Sequence, residues 1–241
     1  MARVNWKGSA LLGPLPAVMV TCQRKELGEV DSPDTRANTN SGDSAVAEIS
    51  DGAKNERLRS FIDPMAPNVF TAAWCGIIAT HPPKLYVSIR PSRYSYKIIR
   101  ESREFVVNLT PSTLAKACDY VGTVTGRCVD KFGKTGLSLV GSTVVGCPTI
   151  AESPLSLECR VTDILQMGSH DMFIADIVAV TVDEMLLDES GKLHLDRAKL
   201  CAFAHGEYFE LGRKLGKIGF GIEKKKRPNS AKSDKQKKIK G

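Results

Sequence analysis

Short apolar runs, often β-branched and separated by turn-forming residues, set the pattern of this chain. The first is Ala-Val-Met-Val-Thr-Cys at 17–22, and the pattern resumes at 68–80 after a long polar interval. Strands are expected at 69–78, 84–89 and 104–109, with Pro82-Pro83 and Pro91-Ser92 as breaks. Before the last of these, Ser92 is placed to cap a helix on which Tyr94, Ile98 and Glu101 recur at helical spacing. A second short helix is expected from Ser112, because Leu114, Ala117, Cys118 and Val121 fall at i, i+3, i+4 and i+7. Residues 155–166 and 171–183 read as the arms of a long hairpin turning at Met167-Gly168-Ser169-His170. The second arm is apolar at odd and even positions alike, so both of its faces need cover. A barrel interior covers one, and helices or a second subunit cover the other, which makes a homodimer the economical arrangement. Mainly β, a barrel or sandwich with a few short helices, is the predicted class.

The interval from Gln23 to Ala66 breaks this rhythm. It is rich in Asp, Ser, Asn, Gly and Lys and poor in large apolar residues, so it is expected to be a mostly disordered insertion. Closure entropy grows only logarithmically with loop length, so an exposed turn tolerates it. Charge is just as uneven. The net +7 of the 241 residues is carried by 223–241, where nine Lys or Arg face two acids, and the rest sums to zero. A basic pI would ordinarily point to nucleic acid or an anionic membrane, but here it belongs to a tail. The chain thus divides into a domain over 1–222, with its insertion at 23–66, and a basic tail over 223–241. No apolar run approaches the roughly 20 residues of a membrane span. The stretch 10–20 carries Pro14 and Pro16 and reads as a strand approach, not a signal peptide. Seven scattered cysteines, without CxxC or zinc spacing, read as reduced core residues of a cytoplasmic protein with no metal site.

The sharpest chemical cluster is Ser88-Ile-Arg90-Pro-Ser92-Arg93-Tyr94-Ser95, where a strand ends and a helix begins. Free amides, a positive dipole end, two guanidiniums and hydroxyls suit a phosphate. The same residues also describe a plain capped helix with solvated arginines. Gly122-Thr-Val-Thr-Gly126-Arg127 is a second anion candidate or a structural loop. The segment 128–135 ends like a P-loop but has Cys128 where the first glycine must stand, and GxSxG, HExxH and GxGxxG are absent. Of the four histidines, His170 at the hairpin turn is the one placed to present an imidazole to a pocket mouth.

In this order the segments resemble the flavin reductase-like, FMN-binding split-barrel family. Asn68-Val-Phe-Thr-Ala-Ala-Trp74 is similar to that family's second strand, and 82–95 to its phosphate-side strand and helix start. Phe105-Val-Val-Asn-Leu109 matches the strand that follows, 119–132 the central loop, and Gly168 to Ile174 the hairpin. The resemblance covers about 4–22 and 67–221. It implies a Greek-key split β-barrel, a homodimer, and FMN bound at or near the subunit interface. It implies that Thr71, Ala72, Ala73 and Trp74 line the isoalloxazine, with Asn68 at the start of the same strand as a further cofactor-binding candidate. Ser88, Ile89, Arg90, Ser92, Arg93, Tyr94 and Ser95 would form the ribityl-phosphate segment, with Asn108 and Lys131 as further candidates. His170 would lie beside a nicotinamide, although the turn reads Gly-Ser-His where Gly-Asp-His is usual.

Three readings follow. The first is an NAD(P)H-dependent flavin reductase-like enzyme that passes electrons to a flavin, metal complex or protein acceptor, with NADH or NADPH as donor. The second is a flavoredoxin-like electron carrier that uses no nicotinamide. The third is a non-catalytic barrel acting through the basic tail, by weak nucleic-acid contact or nuclear import.

Overall fold

The computed structural model describes residues 3–5, 7–25 and 63–222. Apart from its flanks at 23–25 and 63–66, the expected insertion lies outside the described residues, as does the tail at 223–241. Residues up to Leu211 form one unit, and 212–222 belong to a second and contain turns but no helix or strand.

The first unit runs β1 (Leu15–Pro16), β2 (Val18–Cys22), β3 (Asn68–Ala72), β4 (Cys75–Thr80), β5 (Pro83–Ile89), α1 (Tyr94–Ser102) and β6 (Glu104–Leu109). It continues α2 (Ala115–Thr123), α3 (Lys131–Thr135), β7 (Leu139–Val140), β8 (Thr149–Ile150), β9 (Leu155–Gln166), β10 (Asp171–Val182), β11 (Cys201–Ala204) and β12 (Glu207–Glu210). A seven-stranded antiparallel sheet has the order β3-β2-β6-β9-β10-β5-β4. Its two edge strands, β3 and β4, are consecutive in the chain and separated only by Ala73 and Trp74. The sheet must therefore curl until its edges approach, and the Ser88 N–H donates to the Trp74 carbonyl at 2.8 Å at that corner. This is a split-barrel arrangement, mainly β with a few short helices.

Alternation along β2 shows how the barrel is filled. Val18, Val20 and Cys22 point into an interior shared with Phe70, Leu85, Val87, Phe105, Phe173 and α1 residues Ile98 and Ile99. Ala17 and Met19 pack on the other face, with Cys118 and Val121 of α2, so β2 is buried on both sides. The loop between β7 and β8 is tied to the sheet by carboxylates. Glu158, fully buried, accepts from the N–H groups of Thr143 (2.8 Å), Val144 (2.7 Å) and Val145 (3.1 Å) and from the Thr143 hydroxyl (2.7 Å). Glu104 accepts from the Gly146 N–H at 2.9 Å.

Several expectations need correction. The run 69–78 is two strands, because the chain leaves one sheet edge at Ala73-Trp74 and joins the other. Arg93, not Ser92, is the residue before α1, and no side chain caps it. The inward face of α1 is Ser95, Ile98, Ile99 and Ser102, while Glu101 is exposed beside Lys97. The segment from Ser112 starts as a 3-10 turn and becomes helical at Ala115. β10 buries one face, whereas its other face is only partly covered, by Val178 packing on Val106, Val145 and Cys147. Val180 stays 52% exposed. All seven cysteines are unpaired, and six of them are buried.

Candidate functional site

At the corner where the sheet edges meet, a cleft of about 260 Å³ opens between β3, the end of β5, α2 and the β9–β10 turn. Thr71, Ala72, Ala73, Trp74, Ser88, Ile89, Arg90, Arg93 and His170 border it. Past Arg90 and Arg93 a second lobe of about 420 Å³ adds Ser92, Tyr94, Ser95 and Lys131 and has the end of α2 and the turn after it, residues 121–126, as its far wall. The expected residues are thus drawn into one elongated groove, with two exceptions. Asn68 lies in an adjoining hollow and donates from Nδ2 to the Ser95 Oγ at 2.6 Å. Asn108 departs from the expectation. It is wholly buried in the sheet, donates to the Met19 carbonyl at 3.1 Å, and accepts from the Ile150 N–H at 3.0 Å and the Ser156 hydroxyl at 2.9 Å. Its polar atoms serve the core and line neither lobe.

This second lobe, the arm of the site, is lined by the cations Arg90, Arg93 and Lys131 and by no carboxylate. No side chain caps the first turn of α1, whose Tyr94 and Ser95 line the lobe. Arg93 spans it, donating from Nη1 to the Gly122 carbonyl at 3.1 Å. Lys131, only 5% exposed, opens α3 behind the N-cap Asp130 and sends its ammonium between the Val69 and Val121 carbonyls, 2.7 Å from each. Burial draws its pKa down to about 8, aided by the Arg93 charge and opposed by Cys22. An ammonium has three donors, so one remains for a ligand in the arm. The far wall is close-fitting. A Cβ on Gly126 would stand 2.1 Å from Asn68 Oδ1, and one on Gly122 would stand 2.8 Å from Thr71 Cβ. Only glycine lets the loop lie this near the sheet.

The cleft end is aromatic. Trp74 stacks on His170 with ring centroids 6.1 Å apart and planes 20° apart, and faces Phe203 at 6.5 Å. Phe203 meets Tyr208 edge-on at 5.5 Å. Burial and the positive charges of Arg90 and Arg93 lower the His170 pKa, and Ser169 Oγ lies 2.9 Å from its Nδ1. Sequence reasoning missed Phe203 and Tyr208. Their only trace is the strand–turn–strand pattern around His205-Gly206. What brings them here is tertiary: β11 pairs with β1, Leu15 opposite Phe203, which lays the hairpin beside the cleft.

At the corner by Ala73-Trp74, a lobe lined by Arg90, Arg93 and Lys131 thus adjoins a cleft walled by Trp74, His170 and Phe203. The chain belongs to the flavin reductase like domain family, whose model matches residues 61–212. It is 35% identical over 142 residues to an uncharacterized protein of Aeropyrum pernix, a match covering 54% of this chain and 54% of that protein, so it spans about half that relative's length. It is 25% identical over 128 residues to the FMN reductase (NADH) RutF of Yersinia enterocolitica, covering 53% of this chain and 66% of that one. Among solved structures it is similar to flavoredoxin of Desulfovibrio vulgaris, with a TM-score of 0.71 at 24% identity over 92% of this chain and all of that one. That likeness is one of fold. Among the described residues no helix is long and apolar enough to cross a membrane.

Proposed function

We propose that this chain binds FMN in the groove and works as a flavin-dependent oxidoreductase with NADH or NADPH as donor. The observation that carries the reading is the continuity of a phosphate-suited arm with a flat, aromatic-walled cleft. The donor set fits the group. Arg90, Arg93, Ser92, Ser95 and the spare N–H of Lys131 would hold a phosphate dianion. The small side chains of Ala72 and Ala73 leave a planar ring system room against β3, and the narrow approach at Gly122 and Gly126 closes the channel between. The two lobes suit the roughly 300–1,000 Å³ of small-molecule sites. When bound, FMN supplies hydride acceptance from a nicotinamide and onward electron transfer.

The chain's own part is placement. Arg93 would fix the phosphate end against the C-terminal turn of α2, at Gly122. Trp74 and Phe203 give the cleft an aromatic wall, and His170, whose pKa burial and the Arg90 and Arg93 charges lower, offers a hydrogen-bonding edge at the mouth where a nicotinamide would stack. No side chain needs to move a proton for hydride transfer. The partly covered face of β10 favours a homodimer that brings a second subunit's surface near the groove.

The test is the visible spectrum of the purified protein, with any chromophore identified, followed by anaerobic titration with NADH and with NADPH. The reading predicts bound FMN that bleaches with at least one nicotinamide. Bound FMN that ignores both and is reduced by a ferredoxin-type donor would replace the reductase with an electron carrier.

A further inference from the structure

His170 stands at the cleft mouth on a turn that does little to hold it. Residues 165–169 are exposed, and the turn is closed by the Met167 N–H, which donates to the His170 carbonyl at 3.0 Å. The imidazole is stacked on the exposed Trp74, and its Nδ1 meets Oγ of the exposed Ser169. Neither of these side chains is buried. The next residue is anchored quite differently. Asp171 is buried and opens β10, paired with Gln166 of β9 and with Ile89 of β5. No salt bridge among the described residues engages its carboxylate. Its Oδ2 accepts instead from the Tyr96 hydroxyl at 2.5 Å. Tyr96 is itself set firmly, on α1 and with its ring edge-on to the fully buried Phe173, centroids 5.4 Å apart.

A carboxylate taken out of water without a cation beside it is costly, and one phenol offsets only part of that cost. An apolar side chain would fill the same corner without it. What the pair supplies is direction. A short, charge-assisted O–H···O bond holds its partners closely in distance and angle, so the chain at Asp171, and with it the root of the His170 side chain, is fixed relative to α1. The start of that helix, with Arg93 before it, contributes Tyr94 and Ser95 to the arm. One side-chain bond therefore ties the helix of the arm to the turn at the cleft mouth. We propose that Tyr96, acting through Asp171, is the positioning residue that sets the His170 imidazole at the mouth, and with it the place where a nicotinamide stacks. The proposal rests on the reading given above that a nicotinamide lies beside His170.

The test is Tyr96→Phe, which keeps the ring on Phe173 and removes only the hydroxyl, in the full chain with and without His170→Ala. Two readouts are taken. The first, on the flavin-free protein, is the proton resonance of the His170 Cε1–H, assigned by its loss in His170→Ala. Stacking on Trp74 displaces it upfield in the parent, and Tyr96→Phe is expected to return it towards the position of a free histidine. The second is steady-state turnover of the FMN-loaded protein with NADH and NADPH. Tyr96→Phe is expected to raise KM for the accepted nicotinamide about fivefold, with kcat and FMN affinity within about twofold, and to add nothing to His170→Ala. Asp171→Asn, which keeps an acceptor for the phenol, should stay within about twofold of the parent in KM. The proposal is overturned if the His170 resonance is unmoved in Tyr96→Phe, if the KM effect adds in full to that of His170→Ala, or if FMN affinity falls as far as KM rises. A parent that binds no FMN, or turns over neither nicotinamide, defeats the flavin reading, while the resonance of the flavin-free protein still decides whether Tyr96 places His170.

Discussion

Lys131 is the residue on which the groove's electrostatics turn. Its ammonium is buried against two carbonyls without a carboxylate, so the flavin-free protein holds it with a pKa near 8. A phosphate in the arm favours the charged form. FMN affinity is therefore expected to fall as pH rises through about 8, and Lys131→Gln to weaken binding about tenfold or more and flatten that pH dependence. Fluorescence titrations between pH 6 and 10 check both. Stability of the flavin-free protein moves the other way. The unfolded lysine keeps its proton up to about 10.5, so folding is favoured progressively as pH rises from about 8 to that value. Glu158 is the structural counterpart. Burial would raise its pKa, but three backbone N–H groups and the Thr143 hydroxyl outweigh that and lower it from 4.5. A depressed carboxylate adds stability above its unfolded pKa and loses it as pH falls through the folded value. Glu158→Gln should cost about 1–3 kcal/mol at neutral pH and blunt acid destabilisation, read by denaturant melts from pH 3 to 7.

Among the elements, the end of α2 and the loop that follows it are held to β3 by closeness of approach. Gly126→Ala sets a Cβ on the Asn68 carboxamide, which is itself bonded to Ser95, so the loop must lift and Asn68 must turn. A loss of about 1–3 kcal/mol in stability is expected, together with weaker FMN binding, by thermal melts and flavin titration. How far the elements were legible follows from where their determinants sit. The β9–β10 hairpin was readable because two long β-branched runs and the Gly-Ser turn between them are local. The strand end and helix start around Ser88–Ser95 were readable because strand end, break and helix start are consecutive in sequence. The division of 69–78 was not, since Ala73-Trp74 carries no glycine or proline and the strands part only because the sheet edges meet there. Asn108 looked like a site residue and is a core residue, because its partners Met19, Ile150 and Ser156 come from three distant segments. The aromatic wall was equally invisible, Phe203 being delivered by pairing with Leu15.

For the whole molecule, the single chain leaves apolar side chains on strand surfaces: Ile77 is 62% exposed, Ile78 48% and Val180 52%. A homodimer that covers the β10 face is expected, and sedimentation should show a dimer that Val180→Asp weakens. If the cationic arm recognises the phosphate of a flavin, removing that phosphate from the ligand must cost affinity. Equilibrium titration of the flavin-free protein with FMN and with riboflavin at pH 7 tests it most directly, because the two ligands share a ring and differ in the group the arm would hold. The geometry of Arg90, Arg93, Ser92, Ser95 and Lys131 predicts that FMN binds about a hundredfold more tightly or better. Equal affinities for the two, or no flavin binding at all, would contradict the account.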